Sequence, residues 1–250
     1  MDNSGVEEKM KRVAICFWGQ TRTFRCLEEC YKKLLESENI QFDFFVSTWD
    51  DFKGKENFDF CVGKEFVNPE VLFNRDSVEF MNHTDKASYL IYRVNSLKTQ
   101  HEIENNFIYD YVMWTRSEIF FPPFLLAGLI NEKLKKHKEF EINSHNQEIG
   151  VDDDGFAHIA GDYFFLGTSA VFDLYATGWK MYHKRRHSWE IGRHGGHNYH
   201  AWVIDNLPIE HIPVKIQHEF LFPKFVKKAV ESTYKHMDGE TLDRMERDSG

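Results

Sequence analysis

The chain has 250 residues, 42% apolar and 28% charged, proportions that exclude a disordered or fibrous protein. A formal net charge of −9, from 40 Asp+Glu against 31 Lys+Arg, is a poor balance for gripping nucleic acid through its phosphates. The length fits one large domain or two closely packed lobes, and 23 Phe supply ample apolar area for a core.

Residues 1–10 read as a polar tail without the basic-then-apolar order of a signal peptide. Val13–Trp18 (VAICFW) is a short apolar run stopped by Gly19, the pattern of a buried central strand entering a tight loop. Cys26–Glu36 has helical spacing, with Leu27, Tyr31, Leu34 and Leu35 on one face. Phe42–Thr48 (FDFFVST) is a second strand. Strand, helix and strand together make a βαβ unit with a right-handed crossover and parallel strands. Residues 50–85 are polar and read as irregular. Ala87–Glu104 is the clearest helix, with Leu90, Ile91, Val94 and Leu97 as its stripe. Tyr109–Trp114 (YDYVMW) predicts a third strand with the polar exit Thr115, Arg116, Ser117, Glu118. The longest mostly apolar stretch, Ile119–Ile130, contains Pro122, Pro123 and Gly128 and is too short to span a bilayer. Further strands are expected at Phe140–Ile142, Tyr163–Leu166 and Pro213–Gln217. Helices are expected at Ser169–Tyr182 and Ala201–Asn206, with a His-, Arg- and Gly-rich loop over 183–200. Four cysteines without a CxxC pair read as free thiols in a reducing compartment.

Strand–helix alternation in the first half predicts an α/β protein with an open, mostly parallel sheet flanked by helices. Ligands of such sheets bind beyond the carboxyl ends of the strands, which selects three loops. The first, Gly19-Gln20-Thr21-Arg22, offers a close backbone approach and a guanidinium fork for phosphate oxygens; the same residues also suit a turn with a surface arginine. The second, Thr48-Trp49-Asp50-Asp51, pairs an aromatic ring with carboxylates and suits a nucleobase, or else is a core Trp beside solvated acids. The third, Arg116-Ser117-Glu118, sets a cation and a carboxylate past a buried strand. It can hold a divalent cation bridging a diphosphate, or form an ion pair at the sheet's end. Asp152-Asp153-Asp154-Gly155 lacks the later ligands of a calcium loop and reads as solvated acids in a turn. Asp162, beside an apolar run, is expected to be paired or functional. Between Lys180 and Lys228 stand nine Lys/Arg against four Asp/Glu, together with seven His, a local basic surface. Gly195 and Gly196 argue against a helical metal tetrad there, leaving a single His such as His197 as a candidate ligand.

Ile15–Phe24 (ICFWGQTRTF), Phe44–Trp49 (FFVSTW), Ser88–Glu118 and Gly161–Tyr175 together resemble GT-A-type glycosyltransferases of bacterial and large-virus surface-glycan clusters. The family pattern is matched at Ser88, Tyr89, Asn95, Leu97, Lys98, Tyr109, Asp110, Val112 and Arg116, and again at Asp162, Phe164, Gly167 and Tyr175. Trp114 stands where the family often has Arg, and Glu118 where it has Asp.

The resemblance implies a GT-A-like, Rossmann-type mixed sheet in a single large domain over 1–228. Residues 11–118 would be the nucleotide-sugar half, 119–228 the acceptor side and 229–250 a polar tail. It implies hexosyl transfer from a nucleotide-diphosphate sugar to a glycan acceptor, assisted by Mn²⁺ or Mg²⁺. Gly19, Gln20, Arg22, Thr48, Trp49, Asp50, Lys98 and Arg116 would hold the donor. Glu118 would be a metal ligand and Asp162 the catalytic carboxylate; His197, read from the His-rich stretch and not from the resemblance, is the second expected metal ligand. No nucleic acid, no transmembrane segment and a cytoplasmic location, in the cell or an infected host cell, complete the expectation. A catalytically inactive nucleotide- or glycan-binding module is the alternative. A phosphatase or nucleotidyl enzyme using Asp50 and Asp51 is the third reading.

Overall fold

The structure is a computed structural model of the chain. It describes residues 10–19, 24, 28–37, 39–50, 58–68, 83–117, 119–120, 128, 130, 141–145, 164–185, 199, 202–203, 206–208, 210–214 and 219–220. The strands are β1 (Lys11–Trp18), β2 (Ile40–Trp49), β3 (Gly63–Val67), β4 (Tyr111–Arg116), β5 (Ile119–Phe120), β6 (Glu141–His145), β7 (Phe164–Gly167), β8 (Glu210–Val214) and β9 (Glu219–Phe220). The helices are α1 (Glu28–Lys32, continued by a 3₁₀ turn at Lys33–Glu36), α2 (His83–Asn105) and α3 (Ser169–Arg185).

Seven strands form one sheet in the order β3-β2-β1-β4-β7-β6-β8, and β5 pairs with β9 apart from it. β1 is parallel to both β2 and β4, and β2 to β3. β7 runs antiparallel to β4 and β6, and β8 parallel to β6. The mostly parallel, mixed α/β sheet expected from the sequence is therefore present. Strand β3 is a correction to the irregular reading of 50–85. Its Lys64 and Glu65 are taken up by Asp59 and Arg93, so an edge strand carries charges that conceal the apolar pattern. Strand β8 covers Pro213 and Val214 of the strand expected over Pro213–Gln217, whose other residues lie outside the described ones, and it tolerates Pro213 as an edge strand of the described sheet.

Alternation along β1 sorts the core into two faces. Phe17 meets Phe24, Tyr31 and Phe44, and Phe24 stacks on Phe58 at 4.1 Å between ring centres. On the other face Ala14, Cys16 and Trp18 join Phe45 and Trp114 beneath Leu90, Ile91 and Val94 of α2 and Val171, Phe172 and Tyr175 of α3. Trp114 lies 4.3 Å from Phe172 and 5.0 Å from Tyr175, ring centre to ring centre. Burying an aromatic ring of this size contributes about 2–3 kcal/mol each, so these faces hold the sheet between its helices.

Helix α2 stops because Asn106 turns left-handed, with φ 53°, a conformation asparagine tolerates better than most residues. Phe107 N–H then donates to the Glu102 carbonyl at 3.1 Å and Asn106 N–H to that of Ile103 at 3.3 Å, closing the helix end. Among the described residues no helix is long and apolar enough to cross a membrane. Cys16 and Cys61 are free and buried, and burial pushes both thiols well above their ordinary range.

Candidate functional site

The strand order places the topological switch between β1 and β4, the two central strands whose connections leave in opposite directions. A crevice opens at such a switch, outside the carboxyl ends, because the flanking loops diverge there. Register aligns Trp18 with Ser47 on one side and Arg116 on the other.

Gly19 leaves β1 with φ +93°, backbone that L side chains rarely adopt, and a Cβ there would meet nothing within 4 Å among the described residues. The glycine is thus required by the turn and not by crowding. Thr48 is buried, and its hydroxyl donates to the Gly19 carbonyl at 2.7 Å. Thr48 therefore braces the first loop from below, a supporting position that its proximity to Trp49 in sequence does not reveal. Trp49, half-buried, stacks on Tyr89 of α2 at 6.5 Å and 14°. Asp50 N–H donates to the Val67 carbonyl at 2.8 Å, tying the second loop to the end of β3. Ser117 N–H donates to the Trp18 carbonyl at 3.3 Å, which brings the third loop against the first. Gly19, Thr48, Trp49, Asp50 and Arg116 thus come together at one end of the sheet.

Two residues that the motif reading passed over lie in the same row. Trp18 Nε1 and Ser47 Oγ are buried and have no hydrogen-bond partner among the described residues. An unmet buried polar atom costs about 1–3 kcal/mol, and these two lie on neighbouring strands in register with Arg116; Asn95 Oδ1 and Trp114 Nε1 are unmet among the described residues as well, within the core. A tryptophan inside an apolar run gives no sign in sequence that its N–H is unmet.

Lys98 is a correction. Its side chain is 0% exposed and lies at the other end of the sheet, over the amino end of β4, where Gly167 pairs with Val112 and leads into α3. The ammonium is 3.0 Å from Glu102 and 2.9 Å from Asp173, and it also donates to Ser169. Glu102 further accepts from the Tyr109 N–H and the Ser169 hydroxyl. A cation enclosed by its own partners on α2 and α3 is spoken for, so the donor-binding role implied by the resemblance does not fit it.

Gln20, Arg22, Glu118, Asp162 and His197 lie outside the described residues, as do Asp51 and Asp152–Gly155. Most of the basic loop expected over 183–200 lies outside them too, though α3 extends to Arg185 and Tyr199 is helical and buried, donating to the Tyr175 carbonyl. Among the described residues no group of three or more His, Cys, Asp or Glu is placed to hold a metal ion.

No family model matches the sequence, and no curated protein matches it. Solved structures match it only at low identity. A glycosyltransferase involved in glycosylating the major capsid of PBCV-1 is 12% identical with a TM-score of 0.48, over 94% of this chain and 98% of that one. The galactosyltransferase LgtC, solved with donor and acceptor sugar analogues, is 10% identical with a TM-score of 0.45, over 94% of this chain and 82% of that one. The glycosyltransferase GlyE of Streptococcus pneumoniae TIGR4 is 11% identical with a TM-score of 0.47, over 81% of this chain and 45% of that one. Likenesses this distant carry no weight for activity, which has to stand on this chain's own residues.

Proposed function

We propose that this protein is a glycosyltransferase that moves a hexosyl group from a nucleotide-diphosphate sugar to a glycan acceptor at the carboxyl end of β1 and β4. The observation that carries the reading is the switch point itself: a glycine turn at Gly19, braced by Thr48, beside Arg116 and the Trp18 Nε1 and Ser47 Oγ that are unmet among the described residues. Gln20 and Arg22 on the first loop are assigned to the diphosphate, and Trp49 and Asp50 on the second to the base. As the glycosidic bond to the donor breaks, negative charge develops on the leaving diphosphate, and Arg22 and Arg116 would stabilise it. Asp162 is assigned as the base that takes the proton of the acceptor hydroxyl in an inverting transfer. Glu118 and His197 would hold Mn²⁺ or Mg²⁺, which supplies further neutralisation of the diphosphate when bound. Action in the cytoplasm, of a cell or an infected host cell, belongs to the same proposal.

The test is turnover with a panel of uridine, guanosine, cytidine and thymidine diphosphate sugars, with and without Mn²⁺. Slow release of free sugar from one donor, abolished by Arg22→Ala, is the expected result. Binding of a donor without any turnover, with or without glycan acceptors, would replace this reading by that of an inactive binding module.

A further inference from the structure

At the opposite end of the sheet an open groove of about 990 Å³ is lined by the start of β1, the last turn of α2, the loop that follows and Asp173 of α3. Its rim is apolar and exposed: Met10, Ile103 and Ile108 are 55%, 69% and 76% exposed. Only three other large apolar side chains among the described residues, Leu35, Val62 and Met181, are exposed, and they do not line this groove. Apolar side chains gathered on one rim, with polar groups beside them, are the mark of a contact face.

The charges in the groove are the second observation. The Arg12 guanidinium lies over the Phe107 ring at 4.2 Å and makes no hydrogen bond or ion pair among the described residues, while the Arg12 backbone N–H is held by Asp110 at 2.9 Å. Asp173 gives one oxygen, Oδ1, to three donors, Lys98, Asn95 and Thr99, and its other oxygen has no partner among the described residues although the side chain is 44% exposed. Among the described residues a single surface thus offers a cation with free donors, a carboxylate oxygen with free acceptor capacity, protruding apolar residues and a hollow. A two-fold interface needs these complements on the same patch, since each copy must present both halves of every pair.

We propose that this groove is the face through which two copies of the chain associate. The Ile103–Ile108 rim of each copy fills the groove of the other, and the Arg12 guanidinium of each copy meets the free Asp173 oxygen of its partner. The contact lies at the amino ends of β1 and β4, so it leaves the carboxyl-end site open and does not depend on what that site binds.

Sedimentation velocity of the full chain between about 1 and 200 µM tests this, because association is set by mass action. The mass should rise with concentration from 29.7 kDa to twice that value. Ile103→Glu with Ile108→Glu should weaken association at least about tenfold, and Arg12→Gln alone should weaken it and reduce its sensitivity to salt. Leu35→Glu, an equally drastic change at a 49% exposed residue away from the groove, should leave it unchanged. A monomer at every concentration would overturn the proposal, as would association untouched by both groove variants or broken equally by Leu35→Glu. Far-ultraviolet circular dichroism of each variant separates loss of association from loss of the fold.

Discussion

Gly19 is the residue on which the first loop turns. Its φ of +93° would strain any other side chain by about 1–3 kcal/mol, although a Cβ finds free space there. Gly19→Ala should therefore lower the unfolding free energy by no more than about that amount in urea melts, while weakening donor binding more than its effect on stability. Equal binding by Gly19→Ala would remove the loop from the site. For Arg22, assigned to phosphate and not to base, Arg22→Ala should cost about 1.5–3 kcal/mol in affinity for a nucleoside diphosphate and little for the nucleoside, measured by calorimetry. Equal losses for both ligands would show that the assignment is misplaced. At this scale the sequence is readable where a residue announces its own backbone need, as Gly19 does after an apolar run. Lys98 is unreadable for the opposite reason. Its partner Asp173 is 75 positions away, and nothing local tells a buried ammonium from one that meets phosphate.

Among the elements, α2 and α3 are legible from apolar periodicity, β1 from an unbroken apolar run, and β2 and β4 from mostly apolar runs, because burial on both faces leaves little room for polar alternation; the Asp43 that interrupts β2 is buried and accepts from the Tyr109 hydroxyl. β3 was not, since its charges are bound by Asp59 and by the Arg93 fork, whose Nε and Nη2 lie 2.8 and 2.6 Å from Glu65. β3 also begins at a glycine that packing demands: a Cβ on Gly63 would lie 2.7 Å from Cδ1 of the buried Phe45 ring. Gly63→Ala should destabilise the protein by about 1–3 kcal/mol, since that ring is buried with His101 and Tyr109 against it and must shift to admit the methyl group. A stability unchanged within error would contradict the packing of β3 on β2. The joint between α2 and α3 is made by Lys98, Glu102 and Asp173. Lys98→Met removes the cation and leaves Glu102 enclosed without it. A loss of about 3 kcal/mol is expected, the low end for breaking a buried pair because Asp173 keeps access to solvent.

For the whole molecule, the buried weak acids set the alkaline limit of stability. Burial raises the Cys16 and Cys61 thiols, and burial with the Asp43 carboxylate, which accepts from the Tyr109 hydroxyl at 2.8 Å, raises that phenol; burial raises Tyr199 as well. In each case the folded protein holds its proton at a pH where the unfolded chain has released it. The unfolded state binds fewer protons there, so stability is complete below the ordinary values of 9.0 and 10.0 for thiol and phenol and falls as pH rises above them. Urea melts between about pH 8 and pH 10.5 should show a steady decline; a flat profile would mean that these groups reach solvent.

One sheet runs from β3 to β8, and its two ends differ in character. The carboxyl end of β1 and β4 gathers a glycine turn, Arg116 and polar atoms unmet among the described residues, whereas the amino end holds the buried Lys98 with its carboxylates and an apolar rim. Amide hydrogen exchange with a nucleotide-diphosphate sugar and Mn²⁺ distinguishes these ends directly. Protection should rise across 17–22, 47–51 and 114–118 and stay unchanged across 99–110. Protection confined to 99–110, or none anywhere with any donor of the panel, would contradict a donor site at the carboxyl ends of the strands.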